Sequence, residues 1–353
     1  MTLPRRHGLL GCGRVADNHA DAVRALGPGW ELAVACDLRP ERAADLAARH
    51  GIAEVESSAQ ALLRRRDLTS VSVLTEHAAH PHWVEAALFA GKHVLVEKPL
   101  AFTADRAREL VKLAADSGLV LATVSQHLYD PVVRLVRGWL DEGLLGDLVL
   151  VRGCLEASRP AEYYTSSYWH GTWALEGGSA LINQGYHCLD VVRSLVGPLS
   201  VDSARAVTPP AGGPHETEAT VAALLSAGGL PVVFSATTGS STRWRTRIEL
   251  VGSRGTVEFD IDHPARLHRV SGDAALTATA GTAAAVLEEA SSPTPGIDYY
   301  GISHRRQVAD FAEAVEHGRP TVVPPEDGVE MAALLDAVYR AAGLPRPDGA
   351  SDG

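Results

Sequence analysis

From His7 to about residue 125, short apolar runs alternate with amphipathic stretches. His7–Gly11 is an apolar run ending in glycine, and Asp17–Leu26 spaces its apolar residues as a helix does. Glu31–Asp37 alternates as a strand, Pro40–His50 is an Ala/Leu/Arg helix, and a short strand follows near Glu54. Ser57–Arg66 reads as a helix capped by Ser57 or Ser58. Val71–Thr75, His93–Glu97 and Val120–Val124 read as strands, separated by helices over Trp83–Ala90 and Thr103–Ser117. Strands alternating with helices in this way predict a parallel, doubly wound sheet.

After about residue 125 the pattern changes. Val132–Glu142 reads as a helix and Leu148–Ala157 as a long strand. A polar, aromatic stretch, Ser158–Trp173, leads into a helix over Gly178–Leu195. Long alternating runs follow at Ser200–Val207, Thr217–Ser226, Pro231–Thr238, Arg245–Val251 and Thr256–Asp260. With short turns between them, they predict an antiparallel sheet. The Ala/Thr/Ser/Pro-rich segment Ala274–Pro295 reads as an excursion or loop. Two helices, Ser303–His317 and Pro325–Ala342, close the chain. The expected division is a doubly wound α/β domain over 1–125 and a second α/β domain over 126–353.

Composition agrees with two packed domains. The chain has 353 residues, 46% hydrophobic and 21% charged, which suits a folded core. A net charge of −11 argues against a nucleic-acid partner, whose phosphates require a basic face. The four cysteines, Cys12, Cys36, Cys154 and Cys188, form no C-x-x-C pair, so neither a zinc ribbon nor a disulfide framework is expected, and a reduced cytoplasm is the simplest setting. The Arg5-Arg6 pair near the start is followed by an apolar run that Arg14 and Asp17 break, so no export signal is read there. No stretch is apolar over a membrane-spanning length.

The first chemical signal is Gly11-Cys12-Gly13-Arg14-Val15-Ala16, a G-x-G-x-x-A sequence between the first strand and the first helix. Gly11 permits the tight turn, Gly13 admits a pyrophosphate, and the helix N-terminus attracts its charge. The second strand ends in Asp37, suited to accept hydrogen bonds from the adenosine ribose and to repel a 2′-phosphate. NAD is therefore the expected cofactor. Arg39, two residues on, is within reach of a 2′-phosphate and leaves NADP open.

The second signal is Glu97-Lys98-Pro99 at the end of the fifth strand, where this fold binds ligands. Together with Gly11–Ala16 and Asp37, it closely resembles the Gfo/Idh/MocA oxidoreductases, the glucose–fructose oxidoreductase and inositol dehydrogenase family. The resemblance extends to Gly146-Asp147 before a long strand and to Gly177–Asp190. It also takes in the Gly252–Gly255 hairpin and the closing helices. It implies a Rossmann domain followed by an α/β domain with a large, open, mostly antiparallel sheet. It further implies hydride transfer between NAD(P) and a sugar or cyclitol at a site between the domains.

The same resemblance assigns roles. Lys98 would hydrogen-bond the reacting oxygen and assist proton transfer. Asn183 and His187, four apart on one helix face, would orient the substrate and serve as principal acid/base. The family usually has Asp where Asn183 stands, and an amide cannot take a proton. Cofactor contacts are expected from Gly11, Cys12, Gly13, Arg14, Val15, Asp37, Arg39, Thr75, Glu76, His80, Glu97, Lys98 and Gln126. The Thr75-Glu76 start resembles the branch that oxidises C3 of nucleotide-linked amino sugars or related antibiotic sugars. Leu128 stands where relatives often carry Arg. His77, His80 and His82 lack a recognised metal-ligand pattern, and no metal is expected.

The sugar pocket is expected at a cluster of rings. Tyr163, Tyr164, Tyr168, Trp169, Trp173 and Tyr186 fall within a short stretch of a chain with only 5 Phe, 8 Tyr and 6 Trp. Flat rings cover the C–H faces of pyranoses, and their polar tips bind hydroxyls; packing is the competing use. Glu156, Glu162 and Glu176 are interspersed and suit amino groups or solvent. Arg243 is a candidate for a nucleotide diphosphate, and Tyr299, Tyr300 and His304 are further substrate-side candidates. The expected protein is a cytoplasmic homodimer or homotetramer, joined through the open sheet. It would oxidise a ring hydroxyl of an amino sugar, nucleotide-sugar or aminoglycoside-type metabolite. The alternatives are a 3-ketosugar reductase, an inositol-type dehydrogenase, and a non-catalytic NAD-binding regulator.

Overall fold

The computed structural model describes residues 3–262, 266–290 and 301–345. In chain order the first elements are β1 (Arg5–Leu10), α1 (Ala16–Arg24), β2 (Trp30–Cys36), α2 (Pro40–His50), β3 (Glu54–Glu56) and α3 (Ala59–Arg64). Next come β4 (Leu68–Val73), α4 (His80–Phe89), β5 (His93–Val96), α5 (Ala104–Asp116) and β6 (Leu121–Thr123). The second half holds α6 (Pro131–Asp141), β7 (Leu148–Ser158), α7 (Ala161–Thr165), a π-helical turn over Ala180–Gly185 and α8 (Tyr186–Val196). It continues with β8 (Ser200–Val207), β9 (Thr220–Ala227), β10 (Leu230–Thr237), β11 (Gly239–Gly252), β12 (Gly255–Phe259) and β13 (Leu267–Gly272). Three helices follow: α9 (Ala274–Ala290), α10 (Gly301–His317) and α11 (Glu326–Ala341).

The described residues form two compact units. The first takes residues up to Gln126 and returns for the stretch that ends at Ala332. Its sheet is wholly parallel in the order β3-β2-β1-β4-β5-β6, with a switch point between β1 and β4. Buried Val, Leu and Ala fill both faces, as a sheet covered on two sides requires. Sequence reading ended this domain near 125, yet α10 belongs to it. Val308 and Phe311 pack into the core against α1, and Gln307 clamps the end of β6. In that clamp Gln307 accepts from the Ser125 amide at 3.0 Å and donates to the Thr123 carbonyl at 2.8 Å. Local periodicity reveals a helix and not the partner it returns to.

The second unit is built on a seven-stranded sheet in the order β13-β12-β11-β7-β10-β9-β8. It is mostly antiparallel, with one parallel pair, β7 and β10. β11 is longer than its apolar run suggests and pairs with β7 through an irregular register between Gly239 and Trp244. Over Ala274–Ala290 the chain is helical, where a loop was expected. Alanine is the strongest helix former, and Asp273 Oδ1 accepts the Leu276 amide at 3.1 Å to start the helix. Interspersed threonines had hidden the pattern. Among the described residues, no helix is long and apolar enough to cross a membrane.

Candidate active site

In the first unit the glycine turn sits between β1 and α1. Gly11 has φ +102°, and a Cβ there would lie 2.6 Å from the Leu74 carbonyl oxygen, so only glycine fits. Gly13 differs: a Cβ built on it meets nothing within 4 Å. Packing within the protein therefore does not require glycine at 13. Asp37 Oδ2 accepts from the Cys12 amide at 2.8 Å, and Oδ1 accepts from the Arg39 amide at 2.9 Å. The carboxylate is thus fixed in orientation beside the glycine turn. Arg14 and Arg39 are exposed, Val15 is half-buried, and Cys12 is buried, with its thiol pushed up to about 12 by burial and by Asp37. These residues fit an adenine dinucleotide.

The loops after β4 and β5 are joined by His80. Its Nδ1 lies 2.7 Å from the Pro99 carbonyl and its Nε2 lies 3.0 Å from the Thr75 carbonyl, so both ring nitrogens are taken by backbone. Burial lowers its pKa, with the two carbonyls pulling the other way. Thr75 and Glu76 are half-buried beside it, and Gln126 is buried at the end of the unit. Lys98 is half-buried, and its amide donates to Glu97 Oε2 at 3.2 Å. Glu97 is buried and held well below the usual carboxylate range; burial opposes this, and hydrogen bonds from His19 and His304 overcome it. Sequence reading singled out Glu97 and His304 but missed His19.

In the second unit the π-helical turn and α8 carry Asn183 and His187. The turn starts at Ser179, where Glu218 accepts the amides of Ser179 at 3.0 Å and Leu181 at 2.9 Å and the Tyr339 hydroxyl at 3.0 Å. Asn183 Nδ2 donates to buried Glu176 and, at 3.3 Å, to the Tyr163 hydroxyl. Glu176 also accepts from the Ser179 hydroxyl at 2.8 Å and from the Gly171 amide. A carboxylate at 183 would face Glu176; the amide instead donates to it. Tyr163 also accepts from Gln184 at 3.1 Å and stacks on His170, with ring centroids 4.4 Å apart; burial pushes its phenol up to about 12.

His187 is half-buried and stands edge-on to His127, with centroids 5.2 Å apart. His127 Nδ1 in turn lies 2.7 Å from Asp130 Oδ2, and both are buried. An imidazole tethered by a carboxylate is a common way to orient proton-transfer groups. Neither His127 nor Asp130 was picked out from sequence as a site residue, although their i, i+3 spacing before a Pro-initiated helix was visible.

The other aromatic candidates separate. Tyr164 is buried, its hydroxyl donating to Thr238 at 3.0 Å and its ring stacking on His215, so it belongs to the packing. Tyr186 is buried with its ring edge toward His187. Trp169 lies over His170, and Tyr168 is 58% exposed. Arg243 is exposed on β11; its neighbour Trp244 takes Arg159 over its ring, and Arg245 pairs with Glu156 at 2.7 Å. Tyr299 and Tyr300 lie outside the described residues.

Comparison with known proteins decides the family. Residues 5–125 match the family model described as an oxidoreductase family with an NAD-binding Rossmann fold, and residues 133–258 match the C-terminal domain model of the same family. The chain belongs to the Gfo/Idh/MocA oxidoreductase family. It is 26% identical over 346 residues to the inositol 2-dehydrogenase of Rhizobium meliloti (strain 1021), across 95% of this chain and 96% of that enzyme. It is 32% identical over 206 residues to the D-glucoside 3-dehydrogenase of Escherichia coli (strain K12), across 58% of this chain and 57% of that enzyme. Its fold matches the crystal structure of the WlbA dehydrogenase from Bordetella pertussis in complex with NADH and UDP-GlcNAcA. That match has a TM-score of 0.82 and 25% identity over 96% of each chain. This Gfo/Idh/MocA protein is an NAD-dependent oxidoreductase, and the relatives named act on sugars and cyclitols.

Proposed function

We propose that the protein oxidises a secondary ring hydroxyl, at C3, of an amino sugar that is nucleotide-linked or part of an aminoglycoside-type metabolite. The observation that carries the reading is His187 set against the tethered His127–Asp130 pair, with Asn183 one helical turn away. Alcohol oxidation needs a base near neutral pK at the hydroxyl and fixed polar groups to orient the ring. Similarity to a D-glucoside 3-dehydrogenase supports C3 as the carbon.

NAD⁺ supplies the hydride acceptor. Gly11–Val15 and Asp37 would hold its pyrophosphate and ribose, with Thr75, Glu76 and Gln126 as further contacts. His187 accepts the hydroxyl proton, Lys98 donates a hydrogen bond to the same oxygen as negative charge develops, and Asn183 orients the ring. Trp169 and Tyr168 present ring faces to the sugar, while Tyr163, stacked on His170, uses its hydroxyl to hold Asn183. The protein acts in the cytoplasm as a homodimer or homotetramer through its open sheet; Leu224 and Val233, cross-strand neighbours exposed on β9 and β10, support that face as the contact. A cyclitol is the second reading, favoured by the full-length similarity to an inositol 2-dehydrogenase. Turnover on matched sugar and cyclitol panels, with the product carbonyl located by carbon NMR, separates the two. Reaction at a cyclitol alone would replace the first reading by the second.

A further inference from the structure

A chain of buried polar groups crosses one face of the parallel sheet, where apolar packing would be the rule. His7 on β1 lies opposite Ser70 on β4 in register. Its Nδ1 is 2.8 Å from Ser70 Oγ and its Nε2 is 2.9 Å from Ser72 Oγ. Ser72 Oγ is also 3.1 Å from His19 Nδ1 on α1, and His19 Nε2 is 3.3 Å from Glu97 Oε1. His304 Nε2 on α10 reaches the same Oε1 at 3.4 Å. The other oxygen, Oε2, takes the Lys98 amide.

Donor counting gives this chain a direction. Ser70 donates to His7, His7 to Ser72, Ser72 to His19, and His19 to Glu97, with every imidazole neutral and every link satisfied. The reverse order requires Glu97 to carry a proton and donate it. Burial lowers His7 to about 3 and lowers His19, which agrees with the neutral rings and an ionised Glu97.

We infer that Glu97, pinned by His19 and His304, is a positioning residue. It fixes the backbone of Lys98 and, as a buried anion next to it, keeps that side chain an ammonium donor and not a base. The inference rests on the proposed role of Lys98 in the reaction. The titratable groups facing Glu97 are His19, His304 and His80, and Lys98 follows it directly in the chain, its amide bonded to Oε2. The same His19, Glu97 and His304 atoms lie within 4.8 Å of one another, a spacing a divalent cation also suits, so metal binding is the rival use.

The test uses the full-length enzyme with NAD⁺ and a turned-over sugar. Glu97→Gln keeps the shape and removes the charge. It should lower kcat by about tenfold or more. It should also move the alkaline limb of the pH–rate profile to lower pH, because Lys98 loses its anionic neighbour. His19→Gln, whose amide replaces the Nε2 donor, should retain more activity than His19→Leu. His304→Gln provides a milder variant should Glu97→Gln fold poorly. Lys98→Met separates the two claims. If it keeps normal turnover, the role of Lys98 falls. If it abolishes turnover while Glu97→Gln leaves kcat and the alkaline limb unchanged, only the positioning inference falls. One equivalent of metal in the purified protein, lost in His304→Gln, would also overturn it in favour of a cation site.

Discussion

The ring of His187 stands edge-on to that of His127, 5.2 Å between centroids, while His127 Nδ1 lies 2.7 Å from Asp130. This places a tethered imidazole directly behind the proposed base. His187→Ala should lower kcat at saturating sugar by about 100-fold or more. Asp130→Ala, which releases His127, should lower it by about tenfold with little change in NADH affinity. Steady-state kinetics and NADH fluorescence titration check both.

The two motif glycines should behave differently. Gly11→Ala places a Cβ 2.6 Å from a backbone oxygen at φ +102° and should destabilise the protein by about 2 kcal/mol or more. Gly13→Val meets no protein atom near its Cβ, so its melting temperature should match the parent while NADH binding is lost. Thermal unfolding with and without NADH reads out both.

Asp37 is held by the Cys12 and Arg39 amides on the side expected to face the adenosine ribose. Asp37→Ala should reduce kcat/KM with NAD⁺ by about tenfold or more and narrow the preference over NADP⁺. Turnover with each cofactor measures the ratio, and an unchanged ratio would remove Asp37 from the cofactor site.

Glu218 makes a pH prediction. Burial raises its carboxyl from 4.5 to about 7. Below about pH 4.5 both folded and unfolded chains carry this proton, and its contribution to stability is fully present. As pH rises the unfolded carboxylate ionises first, so that contribution declines until about pH 7, by about 3 kcal/mol in all. Urea unfolding of the parent and of Glu218→Gln between pH 4.5 and 8 should show the slope in the parent and a flatter profile in the variant.

Much of the first unit was legible because local signals carry it. β-branched runs, the Gly11–Ala16 turn and the acid at Asp37 need no distant information. The return of α10 to the first unit was hidden, since Gln307 and Phe311 look like any amphipathic helix until their partners are known. His7, Ser70 and Ser72 interrupt apolar strands, a visible oddity whose meaning depends on His19 and Glu97, far away in sequence. In the second unit the helix over Tyr186–Val196 was legible, but the π-helical turn that carries Asn183 was not. The Asn183–Glu176 and His127–Asp130 pairings depend on how the polar segments fold. The aromatic cluster was the least decisive signal, as Tyr164 is committed to Thr238 and His215 while Tyr168 is exposed.

The most direct test of the central claim is NADH formation from NAD⁺ with a panel of amino sugars, nucleotide-linked sugars and aminoglycoside-type glycosides. Parent, His187→Ala and Lys98→Met proteins are compared, and the product carbonyl is located by carbon NMR. The account predicts turnover by the parent with the new carbonyl at C3, and its loss in both variants. Tight NADH binding with no turnover on any sugar or cyclitol, or equal turnover by His187→Ala, would contradict it.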